Sequence, residues 1–278
     1  MSVKLITVDM DETFLRTDKS YDQKRFKSLY KYLNELGIIF LVASGMSYHT
    51  LKEKFSNEEK KTIHFAGDNG SFIVKNNQIL NSIGMSRDLY MEILKYVQSL
   101  GNISAYVSTG MESYILESDP NYHITKIYNH NLYSVKQFED IPKDKSAYKI
   151  AMYNEVPLNK NKELAHNINQ QFNQIFTVTS GNDHLDILHK KSGKGYAIQY
   201  LQNKYNITPE ETMIFGDSMN DHSMIPYAKY NISMSNADPE FAKHTAYTIG
   251  SNNDQAVLDV LEQLIEDHTL EFMEEYKN

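Results

Sequence analysis

Short apolar runs alternate with amphipathic segments in the N-terminal part of the chain. The runs 5–8 and 38–43 predict buried strands. Between them, residues 26–36 carry apolar side chains at the spacing of one helix face, which predicts a helix packed on a sheet. Ser20 and Gln23 predict a capping box at the start of this helix.

The same alternation continues beyond the second strand. It predicts a short helix over 48–55 and strands over 63–66 and 72–74. The residues Asp68-Asn69-Gly70-Ser71 between the two strands are a strong turn signal. Alternating strands and helices are typical of a parallel sheet covered by helices.

A different pattern begins near residue 83. It predicts helices over 88–100 and 158–172, a tyrosine-rich stretch between them, and a strand over 175–179. These features indicate an inserted α+β domain. The strand–helix alternation returns after residue 188, and its predicted elements are helices over 195–205, from 221 and from 254, and strands over 213–216 and 230–234. We therefore predict a core domain formed by 1–83 and 189–278 and an inserted domain formed by 84–188.

The composition excludes several classes of protein and site. A chain of 278 residues fits about two domains and can bury a large core. The formal net charge of −8 argues against a nucleic-acid backbone or an anionic membrane as partner, because both require a basic face. The absence of cysteine excludes a disulfide framework and a thiolate zinc site.

The predicted location is the cytoplasm. The N-terminus lacks a basic-then-apolar signal pattern, and the longest apolar run, 38–43, is too short to span a bilayer. The lack of cysteine suits a reducing compartment. We expect a monomer or a weak homo-oligomer without nucleic-acid or membrane partners.

Two aspartates directly follow the first predicted strand. Asp9 and Asp11 are two residues apart, so their side chains can reach the same side of the chain. Ligands of open α/β sheets bind at the carboxyl ends of the strands. Asp9 is therefore the candidate nucleophile and Asp11 the candidate proton shuttle. An isolated Asp-x-Asp would more simply be a strand ending in a turn.

Two further segments carry groups that can bind phosphate. Ser44-Gly45 stands at a strand-to-helix junction, where a hydroxyl and the free N–H groups of a helix N-terminus can bind an anion. Lys194 stands at the entry to a predicted helix, between two glycines. Taken alone, the first segment would be an ordinary cap and the second a solvated lysine run.

The segment from Gly216 to Asp221 is more specific. It follows a predicted strand and contributes Asp217, Asn220 and Asp221, so a folded sheet would bring several carboxylates into the crevice that holds Asp9. Such a cluster repels itself without a cation. Mg²⁺ is favoured, because it binds carboxylates, water and substrate phosphate, and Lys194 would neutralise the remaining charge.

These motifs, in this order, resemble the haloacid dehalogenase superfamily, and the insertion resembles the cap of its Cof-type subfamily. The resemblance covers essentially the whole chain and is strongest to bacterial sugar phosphatases. It implies a Rossmann-like, three-layer α/β/α core with a parallel sheet and an inserted α+β cap of the C2 type. It also implies a Mg²⁺-dependent phosphatase that acts on small phosphorylated metabolites, above all sugar phosphates.

The resemblance assigns a role to each motif residue. Asp9 attacks phosphorus, and Asp11 protonates the leaving oxygen and then activates the water that hydrolyses the aspartyl phosphate. Ser44, Gly45, Lys194 and Asn220 bind the phosphoryl oxygens. The implied ligands of Mg²⁺ are Asp9, the backbone carbonyl of Asp11, and Asp217, with Asp221 as an orienting group.

The chain departs from the family pattern at two positions. Glu12 stands where the family usually has glycine, and a positive φ there would strain it. Met46 stands where arginine or asparagine is common, so a substrate contact is expected to be missing. We expect an altered local geometry or substrate preference and not a loss of the chemistry.

The choice of substrate is expected to lie with the cap, because a lid must close over the leaving group. The candidates are Ser180, Gly181, Asn182 and Asp183, and Asn69 is expected to line the cleft from the core. A phosphomutase or phosphotransferase would share the aspartyl phosphate, and a non-catalytic metabolite-binding regulator would share the fold. The sequence leaves both alternatives open.

Overall fold

A computed structural model describes residues 3–101, 103–129, 131–154, 156–180, 184–267 and 269–278. The strands are β1 (Leu5–Val8), β2 (Ile39–Ala43), β3 (His64–Gly67), β4 (Phe72–Lys75), β5 (Gln78–Ser82), β6 (Ser104–Ser108), β7 (Ser113–Leu116), β8 (Leu132–Val135), β9 (Lys149–Tyr153), β10 (Ile175–Ser180), β11 (His184–His189), β12 (Thr212–Gly216), β13 (Tyr230–Met234) and β14 (Tyr247–Ile249). The α-helices are α1 (Gln23–Glu35), α2 (Tyr48–Lys52), α3 (Arg87–Ser99), α4 (Tyr122–Tyr128), α5 (Leu158–Gln171), α6 (Lys194–Tyr205), α7 (Pro239–Ala242) and α8 (Ala256–Glu266).

The strands form two sheets. The core sheet has the order β14-β13-β12-β1-β2-β3-β4-β5, and the cap sheet has the order β10-β11-β9-β6-β7-β8. In the core sheet, the strands from β14 to β3 are parallel, whereas β4 and β5 are antiparallel. In the cap sheet, β7 and β8 pair in parallel, and the other four pairs of neighbouring strands are antiparallel. The division of the chain at 83/84 and 188/189 stays a prediction.

Helices cover both faces of the core sheet. Successive side chains of a strand point to opposite faces, and β1 is buried on both. Ile6 and Val8 pack with apolar residues of α1 and α8, whereas Leu5 packs with Ala197 and Ile198 of α6. The three-layer α/β/α core predicted from the sequence is confirmed.

The cap sheet has one apolar face and one polar face. Side chains such as Val107, Ile150 and Ile187 pack with α3 and with the end of α5. Their strand neighbours point to the other face, where Lys149 and Asp186 contact residues of the core. The α+β character of the insertion is confirmed, and its polar face meets the carboxyl ends of the core strands.

Several element boundaries differ from the prediction. The capping box at Ser20 is wrong: α1 begins at Gln23, and the Asp22 carboxylate accepts from the Arg25 amide at 2.9 Å. The predicted helix after Asp221 is a 3₁₀ helix, His222–Tyr227, in which Pro226 lacks an amide donor. The last helix begins at Ala256 because Gln255 is left-handed, with φ of 61°.

Two edge strands of the core sheet were not predicted. These are β5 and β14, which are short and only partly apolar. Among the described residues, no helix is both long and apolar enough to cross a bilayer.

Candidate active site

The site lies at the carboxyl ends of three neighbouring parallel strands. Asp9 follows β1, Ser44 follows β2 and Asp217 follows β12. Val8 is aligned with Phe215 and Val42, and the Asp9 amide extends the ladder by donating to the Phe215 carbonyl at 3.1 Å. The strand register therefore brings distant parts of the chain together.

Lys194 is the central cation of the site. It opens α6 and is only 1% exposed. Its ammonium donates to Oδ1 of Asp9 and to Oδ1 of Asp221, in each case at 2.6 Å. Burial alone would lower the pKa of Lys194, but Asp221 and Asp9 raise it above its usual value. The amine is therefore charged and holds the candidate nucleophile, unlike a solvated lysine.

Three carboxylates cluster beside Lys194, which contacts two of them. One oxygen each of Asp9, Asp217 and Asp221 lies within 4.8 Å of the others. Burial, followed by repulsion from Asp221, raises the pKa of Asp9 well above its usual value and that of Asp217 to about 6. One lysine cannot neutralise three carboxylates, and Mg²⁺ prefers such oxygen donors. The residues present therefore fit a divalent cation.

Asp221 is engaged by its own loop. Its Oδ2 accepts from the amides of Asp217 at 3.0 Å and Ser218 at 3.2 Å, while its Oδ1 accepts from Lys194. A Cβ at Gly216 would lie 2.7 Å from the Cβ of Asp221, so a side chain there would push it away. These are the contacts of a group that orients its neighbours.

The turn after β1 is linked to the Asp217 loop. Thr13 Oγ1 donates to Asp217 Oδ1 at 2.9 Å. Asp11 is not brought to Lys194: its carboxylate is 44% exposed and pairs with Lys19 at 3.0 Å. Asp11 therefore lies on the solvent side of the site, where it can exchange Lys19 for another partner.

Glu12 adopts the left-handed conformation, with φ of 57° and ψ of 10°. Its carboxylate accepts from Thr17 Oγ1 at 2.9 Å and from Asn252 Nδ2 at 3.3 Å, and its carbonyl accepts from Asn236 Nδ2 at 2.9 Å. The chain thus keeps the backbone geometry that suits glycine and holds the glutamate by its polar groups.

Ser44 and Gly45 lie in the loop between β2 and α2. This is the predicted strand-to-helix junction, and the N-cap of α2 is Ser47. The Met46 amide donates to Ser44 Oγ at 3.1 Å, and the Asn69 amide donates to the Ser44 carbonyl at 2.9 Å. The Met46 side chain packs against the apolar core.

A cavity of about 240 Å³ opens beside Lys194, between the core and the cap. The core side of its lining includes Asn69, Lys194, Asn220 and His222, and the cap side includes Phe176, Val178 and Leu188. Asn69 therefore lines the cleft, as expected. Ser180 ends β10, whereas Gly181, Asn182 and Asp183 lie outside the described residues.

Sequence reasoning missed the charged residues that join the cap to the core. Asp186 lies inside the apolar run 185–188, and Lys149 directly precedes the apolar run 150–152. Both are buried. Their unusual position was the available signal, because charged residues are almost never buried unless they are paired.

Comparisons with known proteins identify the family. A family model described as haloacid dehalogenase-like hydrolase matches residues 6–261. The 5-amino-6-(5-phospho-D-ribitylamino)uracil phosphatase YbjI of Escherichia coli is 28% identical over 95% of this chain and 97% of its own. YwtE of Bacillus subtilis, which bears the same enzyme name, is 23% identical over 95% of this chain and 98% of its own.

A solved structure agrees with these sequence matches. Protein SMU.1108c of Streptococcus mutans has a TM-score of 0.87 and 29% identity, with 96% of this chain and 100% of that chain covered. The family model, the order of the motifs and the fold all lead to the same assignment. The chain belongs to the haloacid dehalogenase-like hydrolases.

Proposed function

We propose that this protein is a Mg²⁺-dependent phosphatase that hydrolyses small phosphorylated metabolites through an aspartyl phosphate on Asp9. The observation that carries the proposal is the placement of Asp9, which is buried beside Asp217 and Asp221 and held by Lys194 at 2.6 Å. Family membership and the relatives named as phosphatases make the chain a phosphoric monoester hydrolase.

The reaction has two steps. Asp9 attacks phosphorus in line, so that its new O–P bond forms as the bond to the leaving oxygen breaks, and Asp11 gives its proton to that oxygen. Asp11 then takes a proton from water as the water attacks the aspartyl phosphate. This second step releases phosphate and restores Asp9.

The remaining motif residues bind and stabilise the transferring group. Lys194, Ser44, Gly45 and Asn220 bind the phosphoryl oxygens, and the buried ammonium opposes the charge that develops there. Asp9, the carbonyl of Asp11, and Asp217 would hold Mg²⁺. The ion, when bound, neutralises charge on the phosphoryl oxygens.

The leaving group is proposed to be a sugar. Asn69 supports this, because its Nδ2 donates to Asp186 at 2.8 Å, and a carboxylate oxygen can only accept. Its Oδ1 is thereby fixed as an acceptor, and within the described part of the chain this buried atom has no hydrogen-bond partner. A hydroxyl on the leaving group could donate to it.

A second candidate is a phosphorylated sugar alcohol joined to a flat heterocycle. The names of the two bacterial relatives favour this class, as does the apolar wall formed by Phe176, Val178 and Leu188. An aromatic ring can pack on such a wall, whereas a small sugar phosphate would leave it exposed to water.

Two alternatives remain to be tested against hydrolysis. Transfer to a second sugar would share the first step, so released phosphate should carry isotope from labelled water only if water is the acceptor. A binding protein without catalysis is disfavoured, because Asp9, Asp11, Lys194 and Asp217 all retain their reactive groups. The protein is proposed to act in the cytoplasm.

The test is phosphate release from a panel of phosphorylated sugars, nucleotides and cofactors, including 5-amino-6-(5-phospho-D-ribitylamino)uracil, with Mg²⁺ or EDTA. We expect Mg²⁺-dependent release that falls by at least about 10³-fold in Asp9→Asn, as for loss of other covalent nucleophiles. Folding and inorganic phosphate binding should be retained. Asp144→Asn, an exposed aspartate of the cap, is the matched control. Substantial activity in Asp9→Asn would exclude it as the nucleophile.

A further inference from the structure

A buried charge cluster joins the cap to the core outside the proposed metal site. We call it the boundary cluster, and it consists of Asp68, Lys149 and Asp186. Lys149 opens β9 and Asp186 lies on β11 of the cap sheet, whereas Asp68 follows β3 of the core sheet. Asp68 is fully buried, and Lys149 is 3% exposed. Burial of charged groups is costly unless they find partners, so the cluster calls for an explanation.

Among the described residues, the shortest contact of the Lys149 ammonium is to a backbone carbonyl and not to a carboxylate. Its ammonium donates to the Gly45 carbonyl at 2.6 Å, while Asp186 Oδ2 and Asp68 Oδ1 lie 3.7 and 3.8 Å away. Burial alone would lower the pKa of Lys149, but Asp186, Tyr106 and Asp68 raise it, so the amine is charged. A charged donor makes a stronger hydrogen bond to this carbonyl than a neutral one would.

We propose that Lys149, which belongs to the cap, is a positioning residue. It holds the phosphate-binding loop, Ser44-Gly45, in the conformation that binds the phosphoryl group. The loop then has its binding geometry only while the cap sheet contacts the core. The inference rests on the proposed function, in which this loop binds the phosphoryl group.

The planar peptide bond transmits the contact to the serine. The Gly45 carbonyl and the Met46 amide belong to one peptide plane, so a fixed carbonyl also fixes the direction of the N–H. That N–H donates to Ser44 Oγ at 3.1 Å. If the peptide plane turned, the serine hydroxyl would lose the donor that orients it.

Two other hydrogen bonds cross the same boundary, and the second lies outside the boundary cluster. Ser108 Oγ of the cap donates to Asp68 Oδ2 at 2.7 Å, and Tyr148 of the cap donates to Ser82 Oγ at 3.1 Å. Removal of the Tyr148 hydroxyl weakens the contact of cap and core in general and leaves the boundary cluster intact. It therefore separates general docking from the specific effect of Lys149.

The test compares inorganic phosphate binding, by calorimetry, among four variants. Lys149→Met alone would leave two buried carboxylates without a cation, so it is combined with Asp186→Asn, whose new amide oxygen can still accept from Asn69. Asp186→Asn alone keeps Lys149 and is the matched control. Tyr148→Phe, which removes the hydrogen bond to Ser82, reports general docking, and Ser44→Ala reports the loop itself.

We expect the double variant to bind phosphate roughly three- to thirtyfold more weakly than Asp186→Asn, as is typical of residues that couple two sites. The KM for substrate should rise by a similar factor, and kcat should change less. Tyr148→Phe should stay within about twofold of the wild type. Thermal unfolding of each variant verifies that it is folded.

Three results would overturn the inference. Equal phosphate affinity in the folded double variant and in Asp186→Asn would show that Lys149 does not position the Ser44-Gly45 loop. An equal loss in Tyr148→Phe would assign the effect to docking in general. Unchanged phosphate affinity in Ser44→Ala would show that the loop does not bind phosphate, which contradicts the proposed function itself. Weaker phosphate binding in Ser44→Ala, with no weakening in the double variant, would refute only the role of Lys149.

Discussion

At the scale of single residues, surroundings and not residue type decide what an ionisable group does. Lys190, Lys191 and Lys194 stand within five positions of one another, yet only Lys194 is buried against carboxylates. Lys190 and Lys191 are exposed. The reactive character of Lys194 therefore comes from the start of α6, which places its side chain between Asp9 and Asp221.

Glu12 provides a prediction at the same scale. A left-handed φ costs a residue with a side chain about 1–2 kcal/mol, and glycine does not pay this cost. Glu12→Ala keeps the strained φ and loses the contacts with Thr17 and Asn252, whereas Glu12→Gly loses the contacts but relieves the strain. We expect the glycine variant to be about 1 kcal/mol more stable than the alanine variant in denaturant unfolding.

The control for Glu12 is Glu53, an exposed glutamate with φ of −63°. There the order should reverse, with alanine more stable than glycine, because a residue with ordinary φ gains nothing from the freedom of glycine. Equal stability of the two variants at position 12 would mean that its backbone relaxes to negative φ without strain.

At the scale of elements, close contact between α6 and the 3₁₀ helix His222–Tyr227 positions the lysine. Gly195 is the second residue of α6, and a Cβ there would overlap the Ser223 carbonyl oxygen and approach Tyr227. The Gly195 amide donates to Ser223 Oγ at 3.1 Å. The glycine thus allows the two elements to approach and holds Lys194 against Asp9 and Asp221.

Gly195→Ala should therefore destabilise the protein, although alanine has a higher helix propensity than glycine. Alanine inside a helix is usually about 1 kcal/mol better than glycine, but here the overlap with Ser223 should destabilise the protein by about 1–3 kcal/mol. The displaced Lys194 should also lower kcat. Denaturant unfolding and steady-state kinetics measure the two effects.

The matched control is Asn203→Ala, an exposed position on the same helix. It should be neutral or slightly stabilising, with unchanged kcat. A Gly195→Ala variant as stable and active as the wild type would show that α6 can move away from Ser223 without disturbing the lysine.

At the scale of the whole molecule, the site is assembled from segments about 200 residues apart in sequence, as the Asp9–Lys194 and Thr13–Asp217 hydrogen bonds show. The three carboxylates repel one another across the core sheet, and their repulsion opposes folding. A divalent cation bound between them should therefore stabilise the whole fold, because it binds the folded state only.

We expect Mg²⁺ to raise the thermal unfolding midpoint. The gain at a concentration one hundred times the dissociation constant is about 2.7 kcal/mol. Asp217→Asn should remove most of the shift, whereas Asp144→Asn should keep it. Differential scanning calorimetry with and without EDTA makes the comparison, and an unchanged midpoint in the wild type would argue against a Mg²⁺ site at these residues.

The sequence by itself determined the parts of the fold that follow from local patterns. Largely apolar runs marked β1, β2 and β12 almost to the residue, because strands buried on both faces leave little room for polar side chains. Short edge strands such as β5 and β14 carried no such signal, since one side of an edge strand meets solvent. The order of the motifs was also enough to identify the family.

Only the tertiary structure decided which predicted site residues meet. It placed Lys194 on Asp9 and Asp221, turned Asp11 toward Lys19, and brought Lys149 from the cap to the Gly45 carbonyl. These contacts depend on strand register, helix approach and the seating of the cap on the core. All three arise from packing between segments far apart in the chain, and local sequence patterns carry no record of such packing.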